Sequence, residues 1–137
     1  MEKELEKIER FIQEHHLLSL ATKDDILWCC SLFYAYDSKE NAFIVATDMQ
    51  TLHGRNVLKD ASVAGTVALE TKTVGKIQGI QFRGEMTRCT DGSEIYFKAF
   101  PYALVMNPAL WRIRLDEIKM TDNTLGFGKK LIWKRSF

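Results

Sequence analysis

The stretch from Ala46 to Asn56, ATDMQTLHGRN, puts threonine hydroxyls, an imidazole, a guanidinium and an amide where the apolar run NAFIV stops and a short helix begins. A helix N-terminus offers free backbone N–H groups and a partial positive charge, which together attract an anion such as a phosphate. The hydroxyls of Thr47 and Thr51 would add donors there, and His53 or Arg55 would supply charge. The same residues also make an ordinary helix cap, with Thr51 or Asp48 near the cap position and the remaining polar groups satisfied by one another or by water. Composition alone favours the cap, because caps are commoner than phosphate sites.

Other chemistry-bearing residues are sparse. GFGKK, Gly126 to Lys130, lacks the G-x-x-x-x-G-K-S/T pattern of a phosphate loop and follows no buried parallel strand, so it reads as a glycine turn leading into a lysine-guarded edge strand. Its functional reading is a basic hairpin closing over a ligand or a second subunit. Ser31 has no G-x-S-x-G elbow. Asp37, Asp48, Glu85 and Asp116 are not spaced to make a carboxylate pair. The three cysteines, Cys29, Cys30 and Cys89, are odd in number and show no C-x-x-C spacing. That usage fits a reducing, cytoplasmic setting, and neighbouring strand residues point to opposite faces, which argues against Cys29 and Cys30 sharing a metal. Cys30 reads as a buried apolar thiol among its same-face neighbours Trp28 and Leu32. His15 and His16 sit where a helix should end and imidazolium is favoured by the dipole.

These residues are carried by elements legible from period and turn chemistry. Leu5, Ile8, Phe11 and Ile12 recur at helical spacing, giving a first amphipathic helix. LLSLAT and ILWCCSLFYAYD then read as a hairpin joined through KDD, SKEN as the next tight turn, and AFIVATD as the third strand. QTLHGRNVLKD is a short helix and SVAGTVALE another strand. In KIQGIQFRGEMTRC, Ile77 falls out of period with Ile80 and Phe82, which predicts a β-bulge at Gly79. SEIYFKAFPYALVM is a helix interrupted by Pro101. Trp111, Ile113 and Leu115 alternate with Arg112, Arg114 and Asp116 as a half-buried strand. TDNTLGFG is a turn and KKLIWKR a last strand. The chain therefore reads as mainly β with flanking helices, an antiparallel barrel or sandwich.

At 137 residues, with 46% hydrophobic and 27% charged side chains and two prolines, the chain is expected to be one domain spanning residues 1–137. Its formal charge of +1 gives no global field for nucleic acid or an anionic membrane. No apolar run approaches bilayer length, and the mixed-charge opening MEKELEKIERFIQEHH does not read as a signal peptide. The aromatic inventory reads first as core, although an apolar β shell with one polar corner would also suit a cofactor with a flat end and a charged end.

Taken together, LWCCSLFYAYD, FIVATDMQTLHGRN, VAGTV, GIQFRGE and especially LDEIKMTDNTLGFGKKLIW resemble the YhbP-like family of the pyridoxamine phosphate oxidase-like, FMN-binding split-barrel superfamily. The resemblance covers nearly the whole chain. It implies a homodimeric antiparallel split β-barrel holding flavin mononucleotide between subunits. In the superfamily pattern the second strand lines the isoalloxazine ring, here Cys29, Cys30, Ser31, Leu32, Phe33 and Tyr34. The end of the next strand and its turn meet the ribityl and phosphate groups, here Ala46, Thr47, Thr51, Leu52 and His53. A superfamily glutamine corresponds to Gln78, with Gln81 as the other register, and residues such as Trp111, Arg114, Lys129 or Lys130 would reach across the dimer.

Departures from the pattern bear on function. Where the oxidases place an Arg-Lys pair for the phosphate, this chain has Leu52 and His53, so one fixed charge is lost and the other becomes titratable. Tyr34 replaces a basic residue of the ring-lining strand, and the residues that recognise pyridoxal phosphate are not recognisable. The resemblance thus implies an FMN-binding protein, either a flavin-dependent oxidoreductase of unknown substrate or a non-catalytic flavin-binding or sensing module. Haem binding is a further alternative, because haem-handling relatives occur in the superfamily, and a structural dimer with an occluded groove is the plainest one.

Overall fold

The fold was analysed in a computed structural model that describes residues 2–136. Helix α1 (Glu2–Glu14) is followed by strands β1 (Leu17–Thr22), β2 (Trp28–Asp37) and β3 (Ala42–Ala46). Helix α2 (Leu52–Lys59), strands β4 (Ser62–Ala68) and β5 (Gln78–Arg88), helix α3 (Ser93–Ala99), and strands β6 (Leu110–Asp122) and β7 (Lys130–Lys134) complete the order. The strands run β3-β2-β1-β4-β5-β6-β7, and β3 also pairs with β6, so six antiparallel strands close into a barrel with β7 as an addition. β6 is the hinge of this arrangement. One of its edges pairs with β5, while the other pairs with β3 over Leu110–Arg114 and with β7 over Glu117–Thr121.

Alternation fills the interior. Leu18 and Leu20, Phe43 and Val45, Ile80 and Phe82, and Trp111, Ile113 and Leu115 are all buried in one cluster. Ile8, Phe11 and Ile12 of α1 join that cluster, and α1 packs against β7 and β2. A smaller cluster of Ala35, Ile44, Tyr96 and Leu110 lies outside the barrel wall under α3. β3 is consequently buried on both faces, which explains its continuous apolar run. α3 ends at Ala99, and Pro101 opens a 3₁₀ turn over Pro101–Met106, as the interrupting proline requires.

The bulge differs from expectation. Ile77 lies before β5, which keeps strict alternation through Ile80, Phe82, Gly84 and Met86, so nothing is irregular at Gly79. The register shifts instead between Arg83 and Gly84, which pair with Glu117 and Leu115, leaving Asp116 of β6 as the extra residue. Gly84 permits this, since a Cβ there would stand 1.9 Å from the Arg114 carbonyl oxygen. The turn before β7 places Gly126 at φ 133° and Gly128 at φ 72°, in the region where glycine costs least. Among the described residues no helix is long and apolar enough to cross a membrane.

Candidate functional site

The turn between β3 and α2 is pinned from both sides. Thr47 N–H donates to the Ala109 carbonyl at 3.1 Å, and the buried Trp111 indole N–H donates to the Thr47 carbonyl at 3.1 Å. Thr51 is the N-cap of α2: its hydroxyl accepts from Gly54 N–H at 3.1 Å and donates to the Asp48 carbonyl at 2.7 Å. His53 lies beneath, with Nε2 in hydrogen-bond contact with Thr47 Oγ1 and 3.2 Å from Thr51 Oγ1. Because the Thr51 hydroxyl proton is committed to Asp48, His53 Nε2 must carry a proton to serve Thr51. Arg55 N–H donates to the Thr51 carbonyl at 2.9 Å, so the N–H groups of Leu52 and His53 are the open donors of the first turn.

Charge is distributed differently from the sequence expectation. His53 is 9% exposed, and burial lowers its pKa from 6.5, so the imidazole is neutral at neutral pH and supplies no cation. The positive groups are guanidiniums. Arg55 bridges back over the turn with Nη1 3.3 Å from the Gln50 carbonyl. Arg88, which sequence reasoning missed, lies with its guanidinium carbon 5.5 Å from the Trp111 ring centre, Nε donating to the Leu110 carbonyl and Nη1 3.1 Å from the Met49 sulfur. Nothing local in the chain links Arg88 to Met49; they meet only because β5 and β6 pair at Arg88 and Trp111.

The ring-lining candidates divide by parity. Cys29, Ser31 and Phe33 are exposed on the outer face of β2, whereas Cys30 and Leu32 are half-buried against the core. Burial, with a contribution from Cys29, pushes the Cys30 thiol up to about 11, so it is protonated and unreactive. Trp28, expected to share its burial, is 49% exposed. Tyr34 is core: its hydroxyl donates to the Ile12 carbonyl at 2.6 Å, and burial raises its pKa. The start of β2 is held near α2 by Asn56, whose buried amide donates to Thr22 Oγ1 at 3.1 Å and to the Ile26 carbonyl at 3.0 Å. Ala46 and Leu52 flank the turn, both half-buried.

Gln78 and Lys129 are not brought to this turn within one chain. Both lie beside Asp122, at the end of β6 opposite Leu110. Gln81 is placed otherwise: Ser31, Ser19, Thr66, Gln81 and Lys119 are successive partners straight across the outer sheet face. Beside that row, the small side chains Ala21 and Ala64 help shape a depression of about 490 Å³. His15 and His16 follow the end of α1, where His15 Nδ1 donates to the Phe11 carbonyl at 2.8 Å. Among the described residues no group of three potential metal ligands is found, and all three cysteines are free thiols.

The six antiparallel strands β1–β6, closed through the β3–β6 pairing, with flanking helices and β7 added outside, form a split barrel. No family model matches the chain. It is 44% identical over 138 residues to a UPF0306 protein of Cronobacter sakazakii, covering 96% of each chain. It is 43% identical over 139 residues to the UPF0306 protein YhbP of Escherichia fergusonii, covering 96% of this chain and 94% of that one. The chain belongs to the UPF0306 (YhbP) family. Among solved structures it resembles a FAD-binding protein of Mesorhizobium loti, with TM-score 0.69, 12% identity and coverage of 85% of this chain and 90% of that one. It also resembles HutZ, the heme storage protein of Vibrio cholerae, with TM-score 0.66, 15% identity and coverage of 81% and 89%. At such identities the likeness is one of fold.

Proposed function

We propose that the protein binds FMN, with the phosphate at the turn from Thr47 to His53 and the isoalloxazine ring against the outer face of β2 at Cys29, Ser31 and Phe33. The observation that carries this reading is the first turn of α2. There the Leu52 and His53 N–H groups stay open while the two threonine hydroxyls and the neutral imidazole converge beside them. An anion would be met by the two N–H groups and by the Thr47 hydroxyl, whose proton is free when His53 Nε2 donates to it, with the long-range charge of Arg55 and Arg88. The Arg-Lys pair of the oxidases is thus replaced by neutral donors plus guanidiniums reaching in from outside the motif.

The protein acts as a homodimer in this reading. The outer sheet face carries Ala21, Ala64 and Thr66 beside the polar Gln81, Arg83, Glu117 and Lys119, and Leu17, Phe33 and Ile132 stand on it exposed by nearly half or more. A second copy laid on it would cover that apolar area and bring Gln81, or the partner's Gln78 and Lys129, toward the flavin. The chemistry follows from what a bound flavin supplies, transfer of hydride or electrons, while the chain supplies orientation and a protected face. A flavin-dependent oxidoreductase therefore needs no prominent acid–base pair. A reducing cytoplasmic setting accords with the free thiols.

The test compares FMN with riboflavin. Thr51→Ala combined with His53→Ala removes the cap and the imidazole that hold the phosphate-facing donors in place, so it weakens FMN by about tenfold or more relative to riboflavin. Equal losses for both ligands would mean that only folding had been damaged.

A further inference from the structure

A groove of about 800 Å³ runs between the end of α1 and α3, over the part of β2 that β1 does not reach. Its chemistry is unlike that of the phosphate turn. The His16 ring stacks on Phe33 with centres 5.7 Å apart and planes at 19°, and Phe33 meets Phe100 at 5.6 Å. These rings form a continuous aromatic ledge at the rim, and Phe33 is half-exposed. Polar groups inside are partly committed: Tyr36 donates to the Glu9 carboxylate at 2.6 Å, and His15 Nδ1 is bonded to Phe11. The exposed Lys98 has no ion-pair partner among the described residues; the His16 carbonyl accepts from Tyr34 N–H at 3.0 Å, while its imidazole stacks on Phe33.

We infer that this groove is a second ligand site, for a planar aromatic ring carrying a carboxylate or phosphate. A flat ring laid along the His16–Phe33–Phe100 ledge buries apolar area on both sides and stacks on aromatic faces. Its anionic group then meets the Lys98 ammonium, an interaction that an apolar wall beside it strengthens. The Glu9 carboxylate stands behind the groove-lining Tyr36 hydroxyl, which donates to it. The inference does not depend on flavin binding at the α2 turn, but Phe33 borders both proposed ligands, so the groove is tested in flavin-free protein.

The test uses full-length, flavin-free protein labelled with ¹⁵N and titrated with 2-naphthoate, 2-naphthyl phosphate and neutral 2-naphthamide. Saturable shifts are expected at His16, Lys98 and Phe100, with at least one anion bound about tenfold more tightly than the amide. The tighter anion identifies which acid the groove prefers. Lys98→Met should remove most of that preference without changing the melting temperature, because the side chain is exposed. His16→Ala should weaken all three probes. Absence of saturable shifts at these residues, equal affinity for anions and amide, or a Lys98→Met variant that retains the preference would overturn the inference and leave the flavin reading untouched.

Discussion

Gly54 is the third residue of α2, a position where alanine ordinarily gains about 1 kcal/mol over glycine. Here a Cβ would stand 2.4 Å from the Asp48 carbonyl oxygen and 3.0 Å from both Met49 Cα and Thr51 Oγ1. Ordinary contact begins near 3.4 Å, so the closest approach is short by 3.4 − 2.4 = 1.0 Å. Two of the three atoms are backbone and cannot rotate aside. The Asp48 carbonyl also accepts from Thr51 N–H at 3.3 Å and from the Thr51 hydroxyl, so displacing it loosens the cap. Overpacking costs about 1–3 kcal/mol and a lost cap about 1. Set against the propensity gain, Gly54→Ala is expected to destabilise by about 1–3 kcal/mol. Urea unfolding should show a lower midpoint with an unchanged slope. FMN affinity should fall further than riboflavin affinity, because the phosphate donors move. A variant stabilised by about 1 kcal/mol with unaltered FMN binding would refute the packing of the turn against Gly54.

Four further outcomes are expected. His53 has a folded-state pKa below its ordinary 6.5, so the unfolded chain binds more protons just below that pH. Its contribution to stability is therefore full above 6.5 and is lost as pH falls through the folded value, and His53→Gln should flatten that part of a stability–pH profile. Asp37 is raised by burial but pulled below its ordinary value by Arg112 and the Lys39 and Glu40 N–H groups, with Arg112 Nη1 2.8 Å from its carboxylate. Arg112→Leu should cost about 3 kcal/mol in chemical denaturation by stranding that carboxylate, and Asp37→Asn in the same chain should recover part of the loss. If the protein is an oxidoreductase, FMN-loaded protein should bleach on anaerobic addition of a competent donor, whereas a pure binding module would keep its yellow colour with every donor tried. If haem is the ligand instead, a Soret band should appear on titration, and its survival in His53→Ala would remove that imidazole as the axial ligand.

Much of the barrel was legible because its strands alternate. The alternation of Trp111, Ile113 and Leu115 in β6 and of Ile80 and Phe82 in β5 follows directly from period two, whereas β6 runs on to Asp122 through residues that read as a turn, and Pro101 marked the end of α3. The bulge was misplaced because Ile77 resembles a strand residue out of register, whereas it precedes the strand; the real irregularity is at Asp116, where Asp116 and Glu117 together separate Leu115 from Ile118 and break period two in β6. At the candidate site the residue types of the turn were readable, including Thr51 as the cap. The convergence of Thr47 and Thr51 on one imidazole nitrogen was not, because it depends on the turn's path, and His53 was expected to offer a charge that burial withholds. Arg88 was invisible for a topological reason: only strand pairing brings it under Met49. The separation of Gln81, across from Thr66 on the outer face, from Gln78, beside Asp122, likewise depends on strand register and is not visible in sequence.

The central claim is tested most directly by titrating FMN into the purified protein and following absorbance and flavin fluorescence, with riboflavin and haem run in parallel. Saturation near one FMN per chain, with riboflavin bound much more weakly, is the result expected of a phosphate held at Thr47 to His53. Absence of FMN binding, or FMN and riboflavin bound equally well, would contradict it, and haem binding in the same experiment would move the function to the alternative ligand.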